Sequence, residues 1–239
     1  MSASPVLRRH WRSTPLAELN TALRHGLSSV DAFERATTTS GSLLQSWVRG
    51  AQVVAYEHYP PADVIDLRSG AQFYYHAHRN HGDEHGHLHV FWHATASGRR
   101  RRPTLGRTVW KRTAPTHLLA IALDARGLPV NLFTTNQWVT DGHWFDAART
   151  LACLDRCSPG PVTGHEHSCA WLTHFLAFYR PLIADLLVRR DARLHAHGPL
   201  ADALNNRRLD VLSHRRIDWA ADLDALQAEA SRRGLPALQ

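Results

Sequence analysis

Hydrophobic positions recur with a helical period at both ends of the chain and with a period of two in its middle. Thr14-Pro15 reads as a helix start, with Leu16, Leu19, Leu23 and Leu27 on one stripe. Ser28 to Asp31 reads as another start, and Thr37 to Ser42 as a polar break. Ser42-Leu43-Leu44-Gln45 has capping-box spacing and opens a short helix ending near Gly50. From Ala51 the pattern becomes that of strands: Ala51 to Tyr56, Gln72 to His78, His85 to His93, Thr116 to Asp124 and Leu128 to Val139. The last two predict a hairpin through Ala125-Arg126-Gly127.

Helical spacing returns after Asp141 with Trp144, Ala148, Leu151 and Leu154. Beyond the Ser158 to Pro161 break, Cys169, Leu172, Leu176, Tyr179, Ile183 and Leu186 mark a long helix, which Pro181 should kink or divide. Leu200 to Leu212 and Trp219 to Ala230 predict further amphipathic helices. The strands lack long helical crossovers, so they predict an antiparallel sheet. The expected fold is α+β: one domain over 1–239, with an antiparallel sheet of about five strands (51–140) flanked by N-terminal (1–50) and C-terminal (141–239) helices.

Composition narrows the class. A hydrophobic fraction of 44% and eight tryptophans in 239 residues suit a folded protein with a sizeable core. No apolar run approaches the roughly 20 residues that cross a bilayer, so no membrane partner is expected. Met1 to Arg12 lacks an apolar secretory region, and three cysteines fit a reducing cytoplasm better than a disulfide framework. The formal charge is +7, concentrated in Arg99 to Arg102, Arg107, Lys111 and Arg112. Such a run could meet phosphates, but no nucleic-acid module surrounds it, so a solvated turn is the expectation.

The candidate chemistry lies in histidine. Seven of the 18 histidines fall between His76 and His93. Alternate residues of a strand share a face, which would place His85, His87, His89 and His93 on one side and pair His76 with His78 on the neighbouring strand. Neutral imidazole is a common ligand of Fe, Cu and Zn. Glu84 could add a carboxylate, giving the two-His-one-carboxylate set of non-haem iron, whereas three histidines and a water suit zinc hydrolysis. A one-residue slip in register would separate the two histidine sets. Across the sheet, His117 and Asn136 are polar residues in otherwise apolar strands and are expected to line a site.

Several segments resemble known families. His85-Gly86-His87-Leu88-His89-Val90-Phe91 resembles the histidine-triad signature of nucleotide hydrolases and transferases. That resemblance implies His87 as nucleophile, with His85 and His89 on phosphate, although glycine fills the first apolar slot. Gly70, His76, His78 and Glu84 resemble the first cupin motif, with five residues instead of three or four before the glutamate. His165 and Cys169 resemble the His-x3-Cys element of haem-dependent tyrosine hydroxylases, which implies haem held by those two residues. The broadest resemblance is to an uncharacterised bacterial family with a Glu-His-Gly-His-x-His core. It rests on His58 to Val64, Tyr74 to Arg79, Glu84 to His89, Thr116 to Leu118 and Phe133 to Thr140, and names no reaction.

The sequence thus predicts a cytoplasmic metal-dependent enzyme acting on a small molecule, with oxidative chemistry slightly favoured. Its expected ligands are His76, His78, His85, His87 and His89, with Glu84, His117 and Asn136 as catalytic candidates. The alternatives are a haem oxygenase using His165 and Cys169, a histidine-triad nucleotide hydrolase, and a non-enzymatic metal-binding protein.

Overall fold

The computed structural model describes residues 2–77, 84–94, 99–104, 107–112 and 114–236, with 99–112 given as backbone alone. The chain begins with helices α1 (Pro5–Ser13), α2 (Leu16–Ser40) and α3 (Gln45–Val48). Strands β1 (Tyr59–Ile65), β2 (Ala71–His76), β3 (Gly86–Trp92), β4 (Arg99–Thr104), β5 (Arg107–Arg112), β6 (Thr116–Leu123) and β7 (Pro129–Thr135) follow. Then come α4 (Gln137–Thr140), α5 (Ala147–Leu154), α6 (Glu166–His195), α7 (Leu200–Asn205), β8 (Val211–Arg216) and α8 (Trp219–Arg232). Among the described residues six strands form one antiparallel sheet in the order β1-β2-β3-β6-β7-β8, and β4 and β5 pair separately. The fold is α+β, with one more strand in the sheet than the periodicity suggested.

Strand alternation gives the sheet two different faces. Phe73, Tyr75, Leu88, Val90, Leu119, Ile121 and Leu123 are buried in the main core with Trp171, Leu172, Phe175 and Tyr179 of α6. Trp47 of α3 stacks on Tyr75 and meets Trp171, joining sheet to helices. The other face carries Gln72, Tyr74 and His76 on β2, His87, His89 and Phe91 on β3, and Ala120 and Ala122 on β6. The small side chains of Ala120 and Ala122 stand directly across from His89 and His87, leaving the imidazoles room.

Several expectations need correction. Ala51 to Tyr56 is not a strand; its backbone turns, with Tyr56 at φ 68°. The edge is taken instead by β1 despite Pro60 and Pro61, because an edge strand does not need every N–H for the ladder. The helix expected at Leu200 to Leu212 stops at Asn205, and Val211–Arg216 pairs with β7, so edge pairing overrides local pattern. No new helix starts at Ser28, because Ser29 is buried within α2 and its hydroxyl donates to the Gly26 carbonyl at 2.6 Å. Pro181 does not divide α6, which runs for 30 residues with dense core packing on both sides of it. The arginine-rich segment forms the β4-β5 pair, beyond the turn expected of it. The Ser42 cap is present: its hydroxyl accepts from the Gln45 N–H at 3.1 Å.

Candidate metal centre

Register decides which histidines meet. In the β2-β3 ladder His76 lies directly opposite His87, and Tyr74 opposite His89. His89 therefore shares the face of His87 one step along, diagonal to His76, within reach of a long side chain. His76 Nε2 is 2.7 Å from His87 Nε2 and 3.1 Å from His89 Nε2. One ligand atom from each of the three lies within 4.8 Å of the others, and all three residues are buried. This group can hold a metal ion.

The outer nitrogens show how the rings are aimed. His87 Nδ1 donates to Glu84 Oε1 at 2.6 Å, because an ionised carboxylate only accepts. His87 Nε2 then faces the centre. His89 Nδ1 is 2.9 Å from His117 Nε2, and His117 Nδ1 is 3.2 Å from the Thr135 hydroxyl. With a metal on His89 Nε2, its Nδ1–H donates to His117, whose own Nδ1–H turns to Thr135. Burial, then the positive charge of Arg190, pushes the His117 pKa down to about 3, so the ring stays neutral as this chain of donors requires. Carboxylate and imidazole partners behind ligand histidines fix tautomer and orientation in metal sites generally.

The three nitrogens are close enough to share one ion. Tetrahedral Zn–N bonds of about 2.0–2.1 Å place ligand nitrogens roughly 3.3–3.4 Å apart; His76 to His89 is 3.1 Å, and the 2.7 Å from His76 to His87 would have to open by about half an ångström to admit an ion. His87 Nε2 and His89 Nε2 both approach His76 Nε2, so at least one proton lies among the three nitrogens or the contacts are held by an ion. A metal would displace any proton held there.

A break in register sets His117. Val90 pairs with Leu119, but Phe91 pairs with His117, so β6 carries one extra residue there. The bulge sends Leu118 into the core and turns His117 to the site face. Behind His117 is a cavity of about 20 Å³ lined by Thr135, Asn136, Trp144 and Arg190, room for about one water.

The remaining candidates lie elsewhere. His85 precedes β3 and is exposed; its Nδ1 meets the Tyr75 hydroxyl at 2.6 Å, on the core side, so the trio does not include it. Gly86 explains the glycine in the histidine-triad slot: a Cβ there would run into the Tyr75 hydroxyl and the His76 carbonyl. His78 lies outside the described residues. Asn136 caps α4, its Oδ1 accepting from Gln137 N–H and its Nδ2 donating to the Ala203 carbonyl, so both ends of the amide are engaged.

His165 and Cys169 begin α6, away from the trio. Cys169 is packed in the main core, and burial pushes its thiol up to about 11. His165 Nε2 is 3.4 Å from Arg49. Residues that periodicity passed over are His58, Asp63 and Gln72. The available signal was Gln72, a polar residue two strand steps before Tyr74 and His76 on the same face, and buried.

An α+β protein with a buried three-histidine cluster on the open-order face of an antiparallel sheet is the class that fold and site define. The chain belongs to the family described as Domain of unknown function (DUF6969), whose model matches residues 24–217. No curated protein and no solved structure matches it significantly. The matched span includes every residue of the candidate centre.

Proposed function

We propose that this protein is a metal-dependent enzyme acting on a small molecule, with the ion held by His76, His87 and His89. The observation that carries the reading is the convergence of three Nε2 atoms, two of them with Nδ1 held from behind by Glu84 and His117. A purely structural cluster has no need of such aiming, and buried imidazoles in mutual contact lack a desolvation benefit without a ligand to organise them. Three protein donors leave a four-coordinate ion one position for water or substrate.

A bound divalent ion would supply Lewis acidity toward an oxygen in that position. Glu84 is engaged with His87, so the donors facing the centre are three imidazoles. That set favours activation of water on Zn. A second reading, oxidative chemistry on Fe or Cu, is supported by the aromatic lining: Tyr74 and Phe91 stack beside His89, and Phe133 meets His87 edge-on at 5.2 Å.

The test is metal-dependent turnover. Metal-free protein given Zn(II), Fe(II) or Cu(II) is assayed against small esters and, with a dioxygen electrode, against phenols. Turnover with one metal that disappears in His87→Ala supports the reading and selects the chemistry. Tight metal binding whose Co(II) spectrum is unmoved by azide, with every position filled by protein, would contradict an enzymatic role.

A further inference from the structure

Beside the trio stands a fourth imidazole. His58 stacks flat on Tyr74, with ring centroids 3.5 Å apart and 10° between planes. Its ring also approaches His76 edge-on at 6.2 Å. His58 Nδ1 donates to Asp63 Oδ1 at 2.8 Å, and Asp63 Oδ2 accepts from Gln72 Nε2 at 2.6 Å. Gln72 Oε1 accepts in turn from His93 Nε2 at 2.6 Å. Asp63 holds a φ of 55°, a left-handed conformation that non-glycine residues seldom adopt and that concentrates at functional sites. One carboxylate in strained backbone therefore fixes two side chains of the site face.

Exposure separates His58 from the trio. Its side chain is 40% exposed, whereas that of His87 is 2% exposed and His76 and His89 are buried. His76 is the least buried of the three, and it is the one His58 approaches. His58 thus joins solvent to the buried centre.

We propose that His58 is the substrate-contacting hydrogen-bond group of this site, and that the substrate carries a hydroxyl or N–H beside the atom that reaches the metal. Asp63 Oδ1 accepts the hydrogen bond from Nδ1–H; in the tautomer with its one proton there, Nε2 is the acceptor, and an acceptor selects a donor. Sites built to hydrogen-bond a substrate group discriminate strongly against analogues that lack it. The fitting class is small hydroxy or amide compounds. The proposal rests on the reading of His76, His87 and His89 as metal ligands.

The experiment uses untagged protein loaded with Co(II), whose visible spectrum shifts when an added ligand joins the ion. Azide is the probe without a hydrogen-bond donor, and acetohydroxamate is the probe with an N–H beside its metal-binding oxygens. His58→Phe keeps a flat ring on Tyr74 and removes the nitrogen. Asp63→Gly removes the carboxylate at a backbone angle that glycine adopts freely. The expected result is a fall of about tenfold in acetohydroxamate affinity in both variants, the scale of one hydrogen bond, with cobalt content and azide affinity unchanged.

Unchanged acetohydroxamate affinity in His58→Phe, or a parallel loss for azide, would overturn the proposal. So would loss of cobalt from His58→Phe, because His58 would then help hold the ion. A wild-type protein that takes up no cobalt would overturn the metal reading, and one whose cobalt spectrum ignores azide would overturn the open position; either removes this proposal with it.

Discussion

At the scale of single residues, the centre depends on what stands behind each ligand. Glu84→Gln keeps the shape of the side chain but not the charge that holds His87 Nδ1–H. Its metal affinity should fall about 10–100-fold, measured by competition with a chromophoric chelator. His117→Phe removes the acceptor behind His89 and should cost a similar factor. His85→Ala should leave affinity unchanged, since its ring is turned to Tyr75. Equal losses at His85 and Glu84 would contradict this assignment. His76, His87 and His89 were legible because period two puts alternate residues on one face. His85 was misplaced because it lies one residue before β3, where its N–H still reaches Leu123 but its ring turns to the Tyr75 hydroxyl. His58 and Asp63 were hidden by a proline-containing edge strand with an irregular register.

Elements bring those residues together through close approaches that tolerate little change. Gly86→Ala should destabilise the protein by about 1–3 kcal/mol in chemical denaturation, through overpacking against Tyr75 and the His76 carbonyl. Combining it with Tyr75→Phe should recover part of the loss, because only the hydroxyl contact is relieved. Full additivity of the two changes would show that the contact is not the cause.

On the helical side, His25 of α2 meets His174 of α6 with Nδ1 atoms 2.9 Å apart. Burial lowers both pKa values beneath the ordinary 6.5, and His174 further lowers that of His25. A depressed folded pKa means that stability present above about 6.5 is lost as pH falls through the lower folded values. Denaturation midpoints should therefore drop between pH 7.5 and pH 5.5, and His174→Leu should flatten that dependence. The pattern predicted β2, β3, β6 and β7, but neither β1 nor β8. In Val211–Arg216 the last three residues are polar, and only pairing with β7 makes the segment a strand.

For the whole molecule, the α+β class and antiparallel sheet were readable from the switch in period. The strand order was not, because β4 and β5 pair with each other and leave β6 to join β3. That pairing matters, since β6 supplies both the small residues opposite the ligands and the bulge that aims His117. Among the described residues, no helix is long and apolar enough to cross a membrane. Helices on one face and a buried polar cluster on the other make a scaffold that holds three imidazoles in a fixed register, as a preorganised site requires.

The most direct measurement is the metal stoichiometry of untagged protein after reconstitution with Fe(II), Cu(II) and Zn(II), determined by elemental analysis. The account predicts one tightly held ion per chain for at least one of these metals, lost in His76→Ala, His87→Ala and His89→Ala and kept in His85→Ala. No bound metal under any of the three conditions, or binding that survives loss of the trio, would contradict it.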